Sequence, residues 1–332
     1  MKLSICIPTY NREKFLKELL DSIIIQIDNR NKINIEICIS DNNSIDGTEK
    51  MIKEYIKKNK VKIRYHRNQK NMGADFNYLK CVEIATGEYC WLMGSDDILI
   101  ENSINKVLFQ INNFLDISVF LWNRIDCDYN MKIIKKRYWS KINEETTINF
   151  LNTEEVINYF KSVLSLGGVL SYLSTIIFKK EEWDQIEYDT SYNGTYYSFV
   201  YILFSILIKG KKMKYLIEFI VLCRGENDSF IENGNFKKRC FIDFQGYYRF
   251  SDLLTNERER KTFLEILSRE HSIKVLLSLG KDYKFSLVEK KLLLNFGYNK
   301  FVINFLLDFI YYNRFFFKSV YKGYKKIKRI KG

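Results

Sequence analysis

A short apolar strand that stops at a polar loop and then gives way to an amphipathic helix recurs four times in the first 125 residues. This repeat constrains the fold more than any other feature, because strands alternating with helices through short loops build a parallel sheet with right-handed crossovers. Lys2 to Ile7, Ile33 to Ser40, Val61 to His66 and Tyr89 to Met93 are the expected strands. Helices are expected where Phe15, Leu16, Leu19, Leu20, Ile23 and Ile24 recur at helical spacing, from about Glu49 to Lys58, and through Phe76, Leu79, Val82 and Ile84. The chain is thus an α/β protein. In such a sheet the loops after the first, second and fourth strands open on one edge, and ligands bind beyond the carboxyl ends of strands. Thr9, Tyr10, Asp41, Asn43, Asp96 and Asp97 are therefore expected to converge.

The fourth strand delivers the sharpest chemistry. Trp91-Leu92-Met93 runs into Gly94-Ser95-Asp96-Asp97, two adjacent carboxylates on a turn. Side by side they repel, so keeping both ionised favours a nearby cation, and hard oxygen ligands suit Mg²⁺ or Mn²⁺. A solvated turn that caps the following helix is the competing reading. Pro8, the only proline, fixes the backbone where the first strand meets its loop. Asp46 and Thr48 are good helix caps, whereas Asp41 sits at a strand end, too early to cap a helix starting near Glu49. No G-x-G-x-x-G follows the first strand and no G-x-x-x-x-G-K-[ST] occurs, which demotes dinucleotide and P-loop chemistry.

A formal charge of +13 over 332 residues points to an anionic partner: a nucleotide, a nucleic acid or an acidic membrane surface. The basic cluster is confined to the C-terminal tail and no nucleic-acid motif accompanies it, so nucleic acid is not the expected partner. Seven Cys without C-x-x-C pairing read as reduced core residues of a cytosolic protein, and two isolated His, His66 and His271, argue against zinc. The N-terminus lacks a signal-type stretch. The longest nearly apolar run, Tyr196 to Ile208, is shorter than the roughly 20 residues that span a bilayer and is expected as a buried helix.

Four segments in order, Ile5-Cys6-Ile7-Pro8-Thr9-Tyr10-Asn11-Arg12, Ile39-Ser40-Asp41-Asn42-Asn43-Ser44-Ile45-Asp46-Gly47-Thr48, Asn71-Met72-Gly73, and Gly87-Glu88-Tyr89 leading to Gly94-Ser95-Asp96-Asp97, resemble the family 2 glycosyltransferases of GT-A fold, over roughly residues 1 to 125. The resemblance implies a Rossmann-like mixed sheet flanked by helices and a nucleotide-sugar donor. It places Pro8, Thr9, Tyr10, Arg12, Asn43 and Gly73 around the donor, Asp41 on the nucleotide base, Asp96 near the ribose and sugar, and Asp97 with Asp96 on a Mn²⁺ or Mg²⁺ ion that neutralises the diphosphate. Many members have Asp-x-Asp where this chain has Gly94-Ser95-Asp96, so one potential ligand is absent.

Residues 126–230 are expected to form the acceptor side. Strands are expected at Ile117 to Asn123, Met131 to Tyr138 and Lys212 to Cys223, a helix opens at Thr153, and Tyr172 to Phe178 is β-rich. Inverting relatives place a catalytic Asp in an acidic pair here. That pair is missing, and among Glu181, Glu182, Asp184 and Asp189 the last is the expected base, with Asp96 as the second catalytic carboxylate. Arg224 is expected to close over the diphosphate, with a surface salt bridge as the alternative. The Gln-x-x-Arg-Trp motif of processive synthases is also missing, so transfer of a single sugar is expected.

From about residue 231 the pattern is helical, and it ends with Phe301, Phe305, Leu306, Phe309 and Ile310 beside eight Lys or Arg between Arg314 and Lys331. A basic, aromatic helix of this kind lies on anionic membranes, with a helix packed on the domain and a solvated basic tail as the competing reading. The expected organisation is a catalytic domain over 1–230 and a helical extension over 231–332. The expected activity is metal-dependent glycosyl transfer to a saccharide or lipid-linked saccharide in cell-surface glycan synthesis, by a cytoplasmic protein peripheral on the inner face of the membrane. A nucleotidyltransferase and a non-catalytic membrane-bound glycan-binding module are the alternatives.

Overall fold

The computed structural model describes residues 2–58, 61–227 and 236–314. The chain divides into two compact units, Met1–Asp228 and Ser229–Gly332. In the first, β1 (Leu3–Thr9), β2 (Ile35–Asp41), β3 (Lys62–Arg67) and β4 (Tyr89–Leu92) lie side by side and parallel, in the order β3-β2-β1-β4. Helices α1 (Glu13–Ile24), α2 (Thr48–Lys58) and α3 (Ala74–Glu83) connect them. Every residue of β1, β2 and β4 is buried, as expected of strands covered on both faces. Ile5, Ile7, Ile37 and Ile39 share one core with Leu16, Leu19, Leu20 and Ile23 of α1 and Met51 and Ile52 of α2.

The opposite face carries small and polar side chains. Cys6, Cys38, Cys81 and Cys90 pack there at zero exposure, and burial raises the Cys6 thiol well above its usual value. All seven cysteines are free thiols. On that same face Glu36 lies completely buried in β2. It accepts from Ser4 Oγ (2.7 Å), Thr86 N (2.7 Å), Thr86 Oγ1 (2.8 Å) and Arg64 Nε (2.8 Å), which joins β1, β2, β3 and the turn into β4. A Cβ on Gly87 in that turn would fall 2.7 Å from Ser4 N, so the backbone passes too close for any larger residue.

Beyond β4 the sheet becomes mixed. After β5 (Ile98–Leu99) and α4 (Ser103–Asn113) come β6 (Val119–Cys127), β7 (Ile133–Arg137), β8 (Thr146–Asn149) and α5 (Thr153–Ser162). They are followed by β9 (Ile176–Lys179), α6 (Lys180–Asp184), α7 (Ser198–Ile208) and β10 (Lys212–Arg224). Strand β9 runs antiparallel to both β4 and β6, so β6 and its parallel neighbour β10 point the same way as β1 and β4. The curled, mixed sheet with flanking helices is the GT-A architecture.

Three expected elements shift, the first being β6, which runs to Cys127, beyond the expected end at Asn123. Residues 173–175 form a 3₁₀ turn ahead of β9, which starts only at Ile176, because Ser174 is drawn toward the carboxylate of Asp97. Helix α7 begins at Ser198 instead of Tyr196. Asp75, buried in the first turn of α3, accepts from the backbone N–H groups of Gly194, Tyr196 and Ser198 at 2.8, 3.0 and 3.0 Å and holds the approach non-helical, with Tyr196 at φ +63°.

The second unit is helical over its described residues, with Phe244, Tyr247, Phe263, Ile266, Leu267, Leu276 and Leu293 buried. Its His271 is not isolated: it is buried, with Nε2 2.9 Å from Asp243 and Nδ1 3.5 Å from Cys240. Although burial opposes the charge, Asp243 and Cys240 hold the imidazole up at about 10. Phe301, Phe305 and Phe309 are exposed and stack in succession at 5.2 and 6.4 Å. The basic tail after Arg314 lies outside the described residues. No helix among the described residues is long and apolar enough to cross a membrane.

Candidate active site

The C-terminal ends of β1, β2 and β4 lie on one edge, and their loops are locked together by polar side chains. Thr9 pairs with Asp41 in register. Asn77 of α3 donates to the carbonyls of Thr9 (3.3 Å) and Ser40 (2.9 Å), and Asn42 accepts from Met72 N and Asn68 Nδ2 at 2.8 and 3.0 Å. Gly73 takes φ +86°, a backbone state that favours glycine, where Asn71-Met72-Gly73 enters α3. Asn43 is also left-handed at φ +66°. Tyr10 is exposed beside this edge, while Thr9 is buried with its hydroxyl lacking a hydrogen-bond partner among the described residues.

Asp41, expected on the nucleotide base, ends β2 at this edge. It is fully buried, and its Oδ1 accepts from Ser44 N (2.8 Å) and Ser44 Oγ (2.6 Å) while Oδ2 accepts from Tyr65 (2.8 Å). Arg67 lies 3.8 Å away. The carboxylate thus organises its own loop, and Asp46 caps α2 through Thr48 N at 3.0 Å.

At the end of β4 the two adjacent carboxylates point into different surroundings. Asp97 is 3% exposed, and its Oδ2 accepts from Tyr172 (2.6 Å) and Ser174 (2.5 Å) while Oδ1 faces the backbone N–H of Arg224 at 3.4 Å. Burial, then the neighbouring Asp96, push its carboxyl up to about 7. A Cβ on Gly94 would come 3.0 Å from Asp97 Oδ2, so the turn closes tightly over it. Asp96 is partly exposed, and its Oδ2 meets Asn227 Nδ2 at 2.8 Å and Arg12 Nη1 at 3.5 Å. Burial raises its carboxyl as well, against the pull of Arg12.

The two carboxylates therefore differ in their surroundings. Asp97, expected on the metal, is enclosed by hydroxyls. Asp96 carries the accessible carboxylate.

Arg224 also departs from expectation. Its side chain is 3% exposed and its guanidinium is committed to the carbonyls of Asp96 (3.1 Å) and Tyr129 (2.6 Å) and to the Glu18 carboxylate. It fixes the backbone of the Asp96 turn from below. Arg12 is the cation facing the edge, held over the Phe15 ring at 5.6 Å and donating to the carbonyl of Asn227 at 3.1 Å. Asp189 lies exposed after α6, accepting from Ser191 N at 2.8 Å as the cap of a short turn.

The structure therefore gathers Pro8, Thr9, Arg12, Asp96, Asp97 and Arg224 at one sheet edge. Asn227, Tyr172 and Ser174 were not foreseen as site residues. Asn227 follows Arg224-Gly225-Glu226, a segment conspicuous as polar after a strand, whereas nothing in the sequence around Tyr172 or Ser174 marks them.

No group of three His, Cys, Asp or Glu suited to a metal occurs among the described residues. A single accessible carboxylate at Asp96 still suits Mg²⁺ or Mn²⁺, which keep water and phosphate oxygens and need only one or two carboxylates from the protein.

Comparison with known proteins bears on the family and the fold. Residues 4–166 match the family model of glycosyl transferase family 2. The chain is 40% identical to the abequosyltransferase RfbV of Salmonella typhimurium over 275 residues, 81% of either chain. Over 112 residues, 33% of this chain and 35% of the other, it is 30% identical to a GalNAc(5)-diNAcBac-PP-undecaprenol β-1,3-glucosyltransferase of Campylobacter jejuni. Among solved structures, S. aureus TarS 1-349 in complex with UDP-GlcNAc superposes with a TM-score of 0.64 at 18% identity, covering 89% of this chain and 79% of that one. A Pyrobaculum calidifontis mannosyltransferase in complex with GDP-Man and Mn²⁺ gives 0.56 at 12% identity, covering 94% and 84%.

Proposed function

The chain belongs to glycosyl transferase family 2, and from that premise we propose that it moves a single sugar from a nucleotide-sugar donor to a saccharide or lipid-linked saccharide during cell-surface glycan assembly. The observation that carries this reading is the accessible Asp96 carboxylate at the end of β4, fixed by Asn227, Arg12 and the Arg224 support beneath it. Pro8, Thr9, Tyr10, Asn43 and Gly73 form the nucleoside end of the donor site. Asp41 acts there through the loop it shapes. Asp96 would hold a divalent cation, which when bound would supply positive charge to offset the charge that develops on the leaving diphosphate.

The protein's own part is positional. Arg12 and Asn227 aim the Asp96 carboxylate, and the enclosed Asp97 holds the turn to Tyr172 and Ser174 so that Asp96 cannot swing away. The exposed carboxylate of Asp189 is the group proposed to take the acceptor proton.

A thermal-shift screen of nucleotide sugars with and without Mn²⁺ tests the reading. A donor at 100 times its dissociation constant stabilises the native state by about 2.7 kcal/mol. The expected result is a shift that needs both sugar nucleotide and metal, followed by release of a nucleoside diphosphate on turnover. Pyrophosphate release would point to nucleotidyl transfer, and tight binding without turnover to a glycan-binding module.

The enzyme is proposed to work at the inner face of the cytoplasmic membrane, held there by the aromatic stripe of Phe301, Phe305 and Phe309 and the basic tail beyond it. Each Lys or Arg near an anionic leaflet contributes about 1 kcal/mol, screened within about 8 Å at physiological salt. Truncation after Tyr312 is expected to leave donor binding intact and to abolish sedimentation with anionic vesicles. If full-length protein ignores such vesicles at low salt, the membrane assignment fails.

A further inference from the structure

Arg124 lies near the end of β6, the strand that points toward the catalytic edge from the acceptor half of the sheet. Its guanidinium packs against two adjoining rings, 4.0 Å from the centre of Tyr172 and 5.1 Å from that of Trp139. Tyr172 is the same residue whose hydroxyl bonds Asp97, so Arg124 stands one ring away from the carboxylate pair.

One edge of the guanidinium is fixed by Nε donating to Asp126 Oδ1 at 2.8 Å. The two terminal nitrogens have no hydrogen-bond partner among the described residues, although only 18% of the side chain is exposed. A guanidinium with one edge anchored and the other open to solvent is suited to bidentate contact with an oxyanion.

The hairpin that carries Arg124 is net basic. Asp126 does not neutralise Arg124 alone, because its Oδ2 is held by Arg137 through Nε (2.9 Å) and Nη2 (2.8 Å). From Arg124 to Tyr138 the hairpin carries five basic side chains, Arg124, Lys132, Lys135, Lys136 and Arg137, against two acidic ones, Asp126 and Asp128. The three lysines are exposed.

We propose that Arg124 and the two rings against it form an oxyanion subsite on the acceptor side, which selects an acceptor bearing a carboxylate or phosphate group next to the hydroxyl that receives the sugar. The subsite rests on the glycosyltransferase reading for its place in the reaction, but its ligand chemistry is measurable without turnover.

The test uses full-length protein with the donor pocket saturated by a nucleoside diphosphate and Mg²⁺. Glucuronate and inorganic phosphate are titrated while the fluorescence of Trp139, whose ring touches Arg124, and the heat of binding are followed. At least one probe is expected to bind with a dissociation constant on the order of millimolar. Arg124→Gln is expected to weaken it at least tenfold, and Arg124→Lys, which keeps the charge but not the fork, is expected to weaken it several-fold. Nucleoside diphosphate affinity is expected to stay within twofold in both variants, which also certifies their folding.

Glucuronate binding alone identifies an acidic sugar, and phosphate binding alone a phosphorylated sugar or the phosphate of a lipid carrier. The subsite is overturned if wild type binds neither probe, or if the variants lose nucleoside diphosphate affinity as severely as probe affinity, which would put Arg124 on the donor. Failure of the glycosyltransferase reading would show separately, as absence of any nucleotide-sugar turnover in wild type.

Discussion

Asp96→Ala is expected to lower sugar transfer by at least about a hundredfold, the scale on which removing one preorganised electrostatic group at a developing charge acts. The same substitution should abolish the Mn²⁺ dependence of donor binding and leave the melting temperature close to that of wild type, because the carboxylate is partly exposed and belongs to no core. Asp97→Ala should behave in the opposite way. It strips Tyr172, Ser174 and the Arg224 N–H of a shared buried acceptor, and leaving such groups unsatisfied costs roughly 1–3 kcal/mol each. Activity would fall there too, but with a lowered melting temperature and with metal dependence preserved in the molecules that remain folded. Activity, melting temperature and Mn²⁺ titration on the two variants separate the assignments. A stable Asp97→Ala protein without metal response, beside a metal-responsive Asp96→Ala, would restore Asp97 as the ligand.

The fold was readable because its signals are local. Continuous apolar strands such as Tyr89-Cys90-Trp91-Leu92-Met93 and the helical spacing of Leu16, Leu19, Leu20 and Ile23 each specify an element within a dozen residues, and alternation of the two specifies the parallel half of the sheet. That Asp96 and Asp97 end a strand was equally local. Which of them faces outward was not, because it depends on Tyr172 and Ser174, more than 70 residues away on a 3₁₀ turn that reads as strand. Arg224 illustrates the same limit. A basic residue at a strand end suggests an anion, but Glu18 and two carbonyls from other segments claim the guanidinium. Glu36 escaped notice because a single acid inside an apolar strand looks like an exposed edge position, and its four hydrogen bonds come from three residues in three other segments.

Glu36→Gln should accordingly be the most damaging substitution outside the catalytic edge. Burial by itself would raise this carboxyl, yet the bonds from Arg64, Ser4 and Thr86 outweigh it and depress the group from 4.5 to about 2. A depressed acid stabilises the native state above its unfolded value, so the contribution is complete above pH 4.5 and disappears as pH falls from 4.5 to 2. Its size at neutral pH is about 3 kcal/mol, from about 1.4 kcal/mol for each tenfold difference in proton affinity. The Arg64 and Lys62 partners are 39% and 47% exposed, so water screens part of their share, whereas the Ser4 and Thr86 bonds are sheltered. Glutamine keeps the shape, loses the charge, and must turn an N–H₂ donor toward groups that are donors themselves. Unfolding in denaturant should therefore give a gap of about 3 kcal/mol between wild type and Glu36→Gln at pH 7, narrowing steadily below pH 4.5 until the two nearly meet at pH 2. A gap that is small at pH 7, or that stays constant as the pH drops, would mean that Glu36 is not held ionised by this network. The loss would also reach the active site, since the Thr86-Gly87 turn that Glu36 grips feeds directly into β4, and it is β4 that sets Asp96 at the sheet edge.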